Sequence, residues 1–192
     1  MSTLDEEDRR EYYRIEDMIA LEIRPLSAPE AAGQEVLQDA SPLFNLLSEL
    51  HLSEFESQHL LRQISERDRN LAAFLKSQNK RIDLLSQVIA ITVLGQIGEP
   101  QPVIISEGGV EFQHPTPIAV DAHLSVKLVL MPQALGLLLR ARVTHCDRKG
   151  EGYEVGTEFE YPTDAQRQLL ARYILQKQAQ ERRLARENES GI

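Results

Sequence analysis

The spacing of apolar residues along this chain changes period as it runs, and each change marks an element. Ile15 to Leu26 carries Met18 and Ala20 and then alternates through Leu21-Glu22-Ile23-Arg24 to Pro25, which predicts a first strand. Ser27 to Ser41 collects Pro, Ala, Gly, Gln and acidic residues and reads as a linker. From Pro42 the period becomes helical, with Leu43, Phe44, Leu46, Leu47 and Leu50 on a short apolar face. Ser53 followed by Glu56 is a capping box, in which each side chain satisfies the other's free backbone N–H. It predicts that a second, longer helix starts there.

Counted in threes and fours from Leu61, that longer helix carries a heptad pattern. Leu61, Asp68, Leu75, Ile82 and Ile89 take position a, and Ile64, Leu71, Gln78, Leu85 and Thr92 take position d. A helix of about 40 residues spans about 60 Å, too long to lie along a small barrel, so other helices are expected to bury the seam. The candidate oligomer interface is therefore Leu61, Ile64, Leu71, Leu75, Ile82, Leu85 and Ile89. Position e is small or polar (Ser65, Ala72, Asn79, Ser86), while g includes Phe74 and Val88 beside Arg67 and Arg81. An apolar g widens the buried face and favours a trimer or tetramer over a dimer. The competing reading is an amphipathic helix that packs on its own domain.

After Gly95 and Gly98 the period falls to two. Val103 to Phe112, Leu124 to Met131, Leu137 to Cys146 and Tyr153 to Phe159 are β-rich runs separated by Pro- and Gly-containing turns. With the first strand they suffice for a small antiparallel barrel, because closure removes exposed strand edges. Thr163 and Gln166 repeat the capping-box logic and launch a last helix with Leu169, Leu170, Tyr173 and Ile174 on one face, expected to pack on the barrel. Beyond Leu175 the chain turns polar, and its end is expected to be solvated or frayed. The expected fold is α+β: a small antiparallel β-barrel with a long inserted heptad helix and a C-terminal helix. Residues 1–26 hold the first strand, 27–98 the linker and helical insertion, and 99–192 the rest of the barrel and the last helix.

Composition narrows the function more than the fold. The 192 residues are 42% apolar, enough to fill a modest core. A net charge of -9 and a pI near 5.1 argue against a nucleic-acid polymer or an anionic membrane surface as partner. Any anionic ligand would need a local arginine cluster. There is no run of 18 or more apolar residues and no basic region followed by an apolar stretch at the start, so no membrane insertion is expected. Cys146, the single cysteine, fits a reducing compartment, and a cytoplasmic location is expected.

Such a cluster exists. Arg9-Arg10-Glu11-Tyr12-Tyr13-Arg14 reads R-R-x-x-x-R just before the first strand, and Ile104-Ile105-Ser106-Glu107-Gly108-Gly109 ends a β-branched run with a Ser-x-x-Gly turn. Arginine's planar fork bonds phosphate oxygens in pairs, and its face stacks on a purine. Taken alone, the arginines also fit solvated charge paired with Asp5, Glu6, Glu7 and Asp8. The later runs Val110-Glu111-Phe112, Leu124 to Leu128, Arg140 to Val143 and Tyr153 to Phe159 follow in an order and spacing that resembles the PilZ domain family. The helical insertion resembles its atypical branch, whose long inserted helices assemble into a tetramer.

That resemblance implies a cyclic di-GMP receptor. Arg9, Arg10 and Arg14 would grip the phosphates and stack on one guanine, Ser106 would bond at the base or ribose, and Gly109 would let the turn approach closely. Ile104 stands where the family has Asp or Asn, and it cannot accept from a guanine's N–H groups. The loss of such a bond costs about 1.5 to 3 kcal/mol. Two function classes follow: an oligomeric receptor acting through an unidentified protein partner, and an oligomeric scaffold without nucleotide binding. No enzyme is expected, nor any cofactor or metal. Ser106 lacks the G-x-S-x-G elbow, and the five histidines show no metal-ligand spacing.

Overall fold

The structure, a computed structural model, describes residues 13–27 and 37–189. Six antiparallel strands close into a barrel: β1 (Arg14–Pro25), β2 (Gln101–Ser106), β3 (Gly109–His114), β4 (His123–Leu130), β5 (Leu135–Lys149) and β6 (Gly152–Glu160). Their order around the barrel is β1-β2-β3-β6-β5-β4. Among the described residues three helices accompany them: α1 (Pro42–Arg67), α2 (Arg69–Ile97) and α3 (Asp164–Glu189). The α+β class and the small antiparallel barrel agree with the sequence reading. The run from Val103 to Phe112 is a hairpin rather than one strand, because Ser106 to Gly109 turns the chain and pairs Val103 with Phe112.

The chain divides into two compact units. One comprises Met1–Met18, Pro102–Ala122 and Ala141–Ile192. In it β2, β3 and β6 pair in sequence, with Glu111 opposite Gly156 and Phe112 opposite Val155. Val103, Ile105, Val110, Phe112 and Val155 alternate inward and are buried. The α3 capping box forms as expected: Thr163 N–H donates to Gln166 Oε1 at 2.9 Å and Gln166 N–H to Thr163 Oγ1 at 3.2 Å. Leu169, Leu170, Tyr173 and Ile174 are its buried face. The helix runs on to Glu189, with residues 181–187 exposed.

The second unit comprises Ile19–Gln101 and His123–Arg140. The latter half of β1 pairs with β4, from Ala20 opposite Val129 to Pro25 opposite Leu124. Here the predicted helix boundaries need correction. The first helix starts at Ser41, whose hydroxyl accepts from Phe44 N–H at 3.4 Å, with Pro42 at the first turn. It then runs straight through Ser53, so the Ser53–Glu56 capping box is not a start. The break comes at Asp68, in extended backbone (φ -140°, ψ 100°), whose carboxylate accepts from the N–H groups of Asn70 and Leu71 at 3.0 Å. Asp is a strong N-cap and a poor interior residue, so the polar interruption in the heptad is where one helix ends and the next begins.

Instead of one long rod, α1 and α2 fold into an antiparallel hairpin. Ser41 at the start of α1 bonds Gln96 near the end of α2, Phe44 and Leu47 pack with Ala90 and Val93, and Leu50 to Ser57 share a cleft with Asn79 to Ser86. The face of α2 turned to α1 is therefore Ala72, Ser86, Ala90 and Val93. These small residues are the e positions and their neighbours, not the a/d seam. Of the seven residues assigned to that seam, Leu61, Ile64, Leu75 and Ile89 are half-buried, while Leu71, Ile82 and Leu85 are exposed.

The hairpin's root is anchored within the same unit. Phe44, Leu47, Ala90 and Val93 join Val129, Ala134 and Leu138 in one core cluster. Lys127 on β4 is buried, bonds Asp39 at 2.9 Å, lies 3.6 Å from Glu22, and sits 5.1 Å over the Phe44 ring. Asp39 also accepts from Ser41 N–H at 2.8 Å, fixing the entry into α1. The ring nitrogens of His51 lie 2.9 Å from the Leu47 carbonyl and 3.1 Å from that of Gln133, which ties α1 to the turn before β5.

Candidate functional site

Antiparallel neighbours set the beginning of one strand beside the end of the next. Arg14 is the first residue of β1 and Ser106 the last of β2, so the two stand at the same end of that pair. Arg14 is exposed, as is the neighbouring Tyr13. Arg9 and Arg10 lie outside the described residues. No distance joins the three arginines as a set.

The turn itself is built by Ser106. Its Oγ accepts from Gly108 N–H at 3.2 Å and donates to the Gly109 carbonyl at 3.4 Å, which closes a side-chain turn. Gly108 O accepts from Phe159 N–H at 2.8 Å, joining the turn to β6. Gly109 is required by packing: a Cβ there would fall 2.0 Å from the Thr157 carbonyl oxygen. Both motif residues therefore have structural work in this turn.

Ile104 faces outward, between the buried Val103 and Ile105. With Met18, Pro102 and Phe112 it lines a groove of about 470 Å³. The charged lining is Glu16, Asp17, Glu111 and Glu154 against Lys149 alone, so the groove is net acidic. Several of these groups are already paired. Lys149 bonds Glu154, and that hydrogen bond raises the lysine's pKa. Glu111 lies 3.6 Å from His145 Nε2. Asp17 holds Lys177 at 2.8 Å and accepts from the Tyr173 hydroxyl, fastening α3 to β1. Burial first, and the Asp17 bond second, push the Tyr173 pKa far above 10.0.

A further guanidinium stands in the same unit. Arg142 on β5 bonds Asp121 and Glu158, each at 2.9 Å, and approaches Glu160 at 3.8 Å. Those partners raise its pKa, the Asp121 hydrogen bond most. Sequence reasoning did not single out this cluster or the acidic lining. The acids come from β1, β3 and β6 and meet only once the strands pair, so no local spacing announces them. Among the described residues no three His, Cys, Asp or Glu side chains are grouped to hold a metal ion, and no helix is long and apolar enough to cross a membrane.

Six strands in this order, with a Ser-x-x-Gly turn closing β2, define a small antiparallel β-barrel domain. The sequence pattern of the PilZ domain matches residues 75–176, more than half of the chain, and the chain belongs to that family. The matched stretch begins inside α2 and contains Ser106 and Gly109 but not the arginine motif. The fold is similar to that of a pathogenic protein from Xanthomonas campestris, a tetrameric PilZ domain self-assembled via an unusual helical bundle. The TM-score is 0.55 at 15% identity, covering 89% of this chain and 90% of that one. No curated protein matches the chain.

Proposed function

We propose that this protein is a cyclic di-GMP receptor of the PilZ type, oligomeric through its helical insertion. It acts by changing a barrel surface that a protein partner reads, and it catalyses no reaction. What supports this reading is that Arg14, first in β1, and Ser106, last in β2, belong to the same end of neighbouring strands. Arg14, with Arg9 and Arg10 a few residues before it, supplies the guanidiniums that an acidic protein needs to hold a dianion. The family's fold and its lack of any membrane-spanning helix among the described residues are consistent with a soluble, cytoplasmic effector.

One observation favours a second reading, an oligomeric scaffold that binds no nucleotide. Ile104 lines a groove whose charges are mostly acidic, so the guanine acceptor is missing and its surroundings repel phosphate. Titration calorimetry with cyclic di-GMP separates the two. The receptor reading expects saturable heat from the wild type and at least a tenfold weaker constant for the double variant Arg10→Ala, Arg14→Ala. No heat from the wild type would favour the scaffold, and equal heats from the two proteins would remove the receptor reading built on the arginines.

A further inference from the structure

The groove beside Ile104 combines an apolar floor with a rim of carboxylates. Met18 on β1 is 60% exposed, and Pro102 and Ile104 on β2 line the same groove. Outward positions of an antiparallel sheet are ordinarily polar, and exposed apolar side chains rimmed by charge mark a contact surface. The rim is Glu16 on β1, Glu111 on β3 and Glu154 on β6. Not all of this charge is free. Glu154 is taken by Lys149, and Asp17 by Lys177 and Tyr173. Glu111 stands opposite Gly156, where the His145 ring fills the space a side chain would need, yet its approach to His145 is 3.6 Å, beyond hydrogen-bond reach. The Glu16 side chain is exposed and has no partner among the described residues. Because β2 lies between β1 and β3, Ile104 sits on the strand between those of the two under-used carboxylates.

We infer that this groove receives an arginine-bearing segment of a protein partner, with the arginine's alkyl stem over Met18 and Ile104 and its guanidinium shared by Glu16 and Glu111. Arginine matches both halves of the surface. Its stem covers apolar area while its head stays polar, and its planar fork donates to two carboxylates at once. An anionic ligand is repelled by the same rim. A wholly apolar segment would strip water from Glu16 and Glu111 and leave them unpaired, which costs more than the floor returns. A volume of about 470 Å³ admits such a side chain with its flanking residues. The inference deepens the proposed function by naming the chemistry of its protein partner. Its test contains no nucleotide, so its failure and that of the receptor reading are told apart.

Fluorescence anisotropy tests it, with the full-length protein titrated into rhodamine-labelled peptides in which leucine alternates with arginine, lysine or glutamate. The arginine peptide is expected to bind saturably, the lysine peptide more weakly and the glutamate peptide not at all. The variant Glu16→Gln, Glu111→Gln keeps the shape of both side chains and is expected to bind the arginine peptide at least tenfold more weakly. The variant Glu99→Gln, Glu181→Gln makes the same change in net charge at exposed positions outside the groove and is expected to bind as the wild type does. Equal weakening in the two variants would assign the binding to the protein's overall charge and overturn the site. Equal affinity for the arginine and lysine peptides overturns the guanidinium assignment, and no binding of the arginine peptide overturns the inference whole.

Discussion

Substituting Gly109 by alanine asks what the motif glycine is for. The added carbon would lie 2.0 Å from the Thr157 carbonyl oxygen, 3.0 Å from its carbonyl carbon and 3.3 Å from Glu158 Cα. All three atoms are backbone, so no rotamer change relieves the clash and β3 must part from β6. The two strands are clamped at this point by Phe159 N–H on the Gly108 carbonyl at 2.8 Å, and by Thr157 Oγ1 donating to the Val110 carbonyl at 2.7 Å. Overpacking of this kind costs about 1–3 kcal/mol, and loss of one clamp adds about 0.5–1.5 kcal/mol. A destabilisation of about 2–4 kcal/mol follows, which lowers the urea midpoint by roughly 1–2 M at the slopes usual for small domains. Gly95 is the control, since a Cβ there meets nothing within 4 Å and the residue lies inside α2. Gly95→Ala should stabilise by about 0.5–1 kcal/mol. The same chemical change must therefore move the two midpoints in opposite directions. If Gly109→Ala unfolds at the wild-type midpoint, strand packing does not explain the glycine and only ligand approach remains.

Tyr173→Phe should cost about 0.5–1.5 kcal/mol at neutral pH, since it removes the bond to Asp17. It should also flatten the alkaline decline in stability. The Tyr173 pKa is raised in the folded state, so its contribution is complete below the unfolded value of about 10 and is lost as pH rises above it. Urea melts at neutral and alkaline pH check this; parallel declines in both proteins would refute it. Lys127→Met leaves the half-buried Asp39 without its ammonium partner and should cost about 1.5–3 kcal/mol by thermal melting; an unchanged transition would mean that Asp39 is held by its other bonds alone. Asp68→Ala should cost about 1 kcal/mol as a lost N-cap, whereas Ser53→Ala, inside α1, should stay within about 0.5 kcal/mol. Urea unfolding of the two variants decides between a hairpin apex at residue 68 and a helix start at residue 53.

The barrel was legible because β2 and β3 alternate, with Val103, Ile105, Val110 and Phe112 inward and Ile104 and Glu111 outward, while β4 and β5 are nearly continuous apolar runs. The β2–β3 hairpin was folded into a single run because Ser-Glu-Gly-Gly is short and β-branched residues flank it. The helical insertion was legible in composition but not in path. Asp68 sits between Arg67 and Arg69 with no Gly or Pro to announce a reversal, and the heptad count passes through it unbroken. The missed signal was the cap chemistry of Asp68 together with the small residues Ala72 and Ser86. Small residues that recur on one face of a helix let a second helix approach closely there, and in this chain that neighbour is α1.

The site was legible as a list and not as a surface. Ser106 and Gly109 were read as ligand contacts, yet each is accounted for first by the turn and by β6. The groove beside Ile104 carries Glu16, Glu111 and Glu154, so a phosphate entering it meets repulsion that lysine alone does not offset. If a dianion binds this barrel, its attraction must come from outside that groove, from guanidiniums at the head of β1. Arg142 does not supply the charge, because Asp121 and Glu158 already take both of its terminal nitrogens. On the proposed reading, the arginine segment before β1 would thus carry nearly the whole electrostatic burden of binding. The affinity of such a site should fall steeply with salt, since Arg14 is exposed and the groove beside Ile104 is acidic.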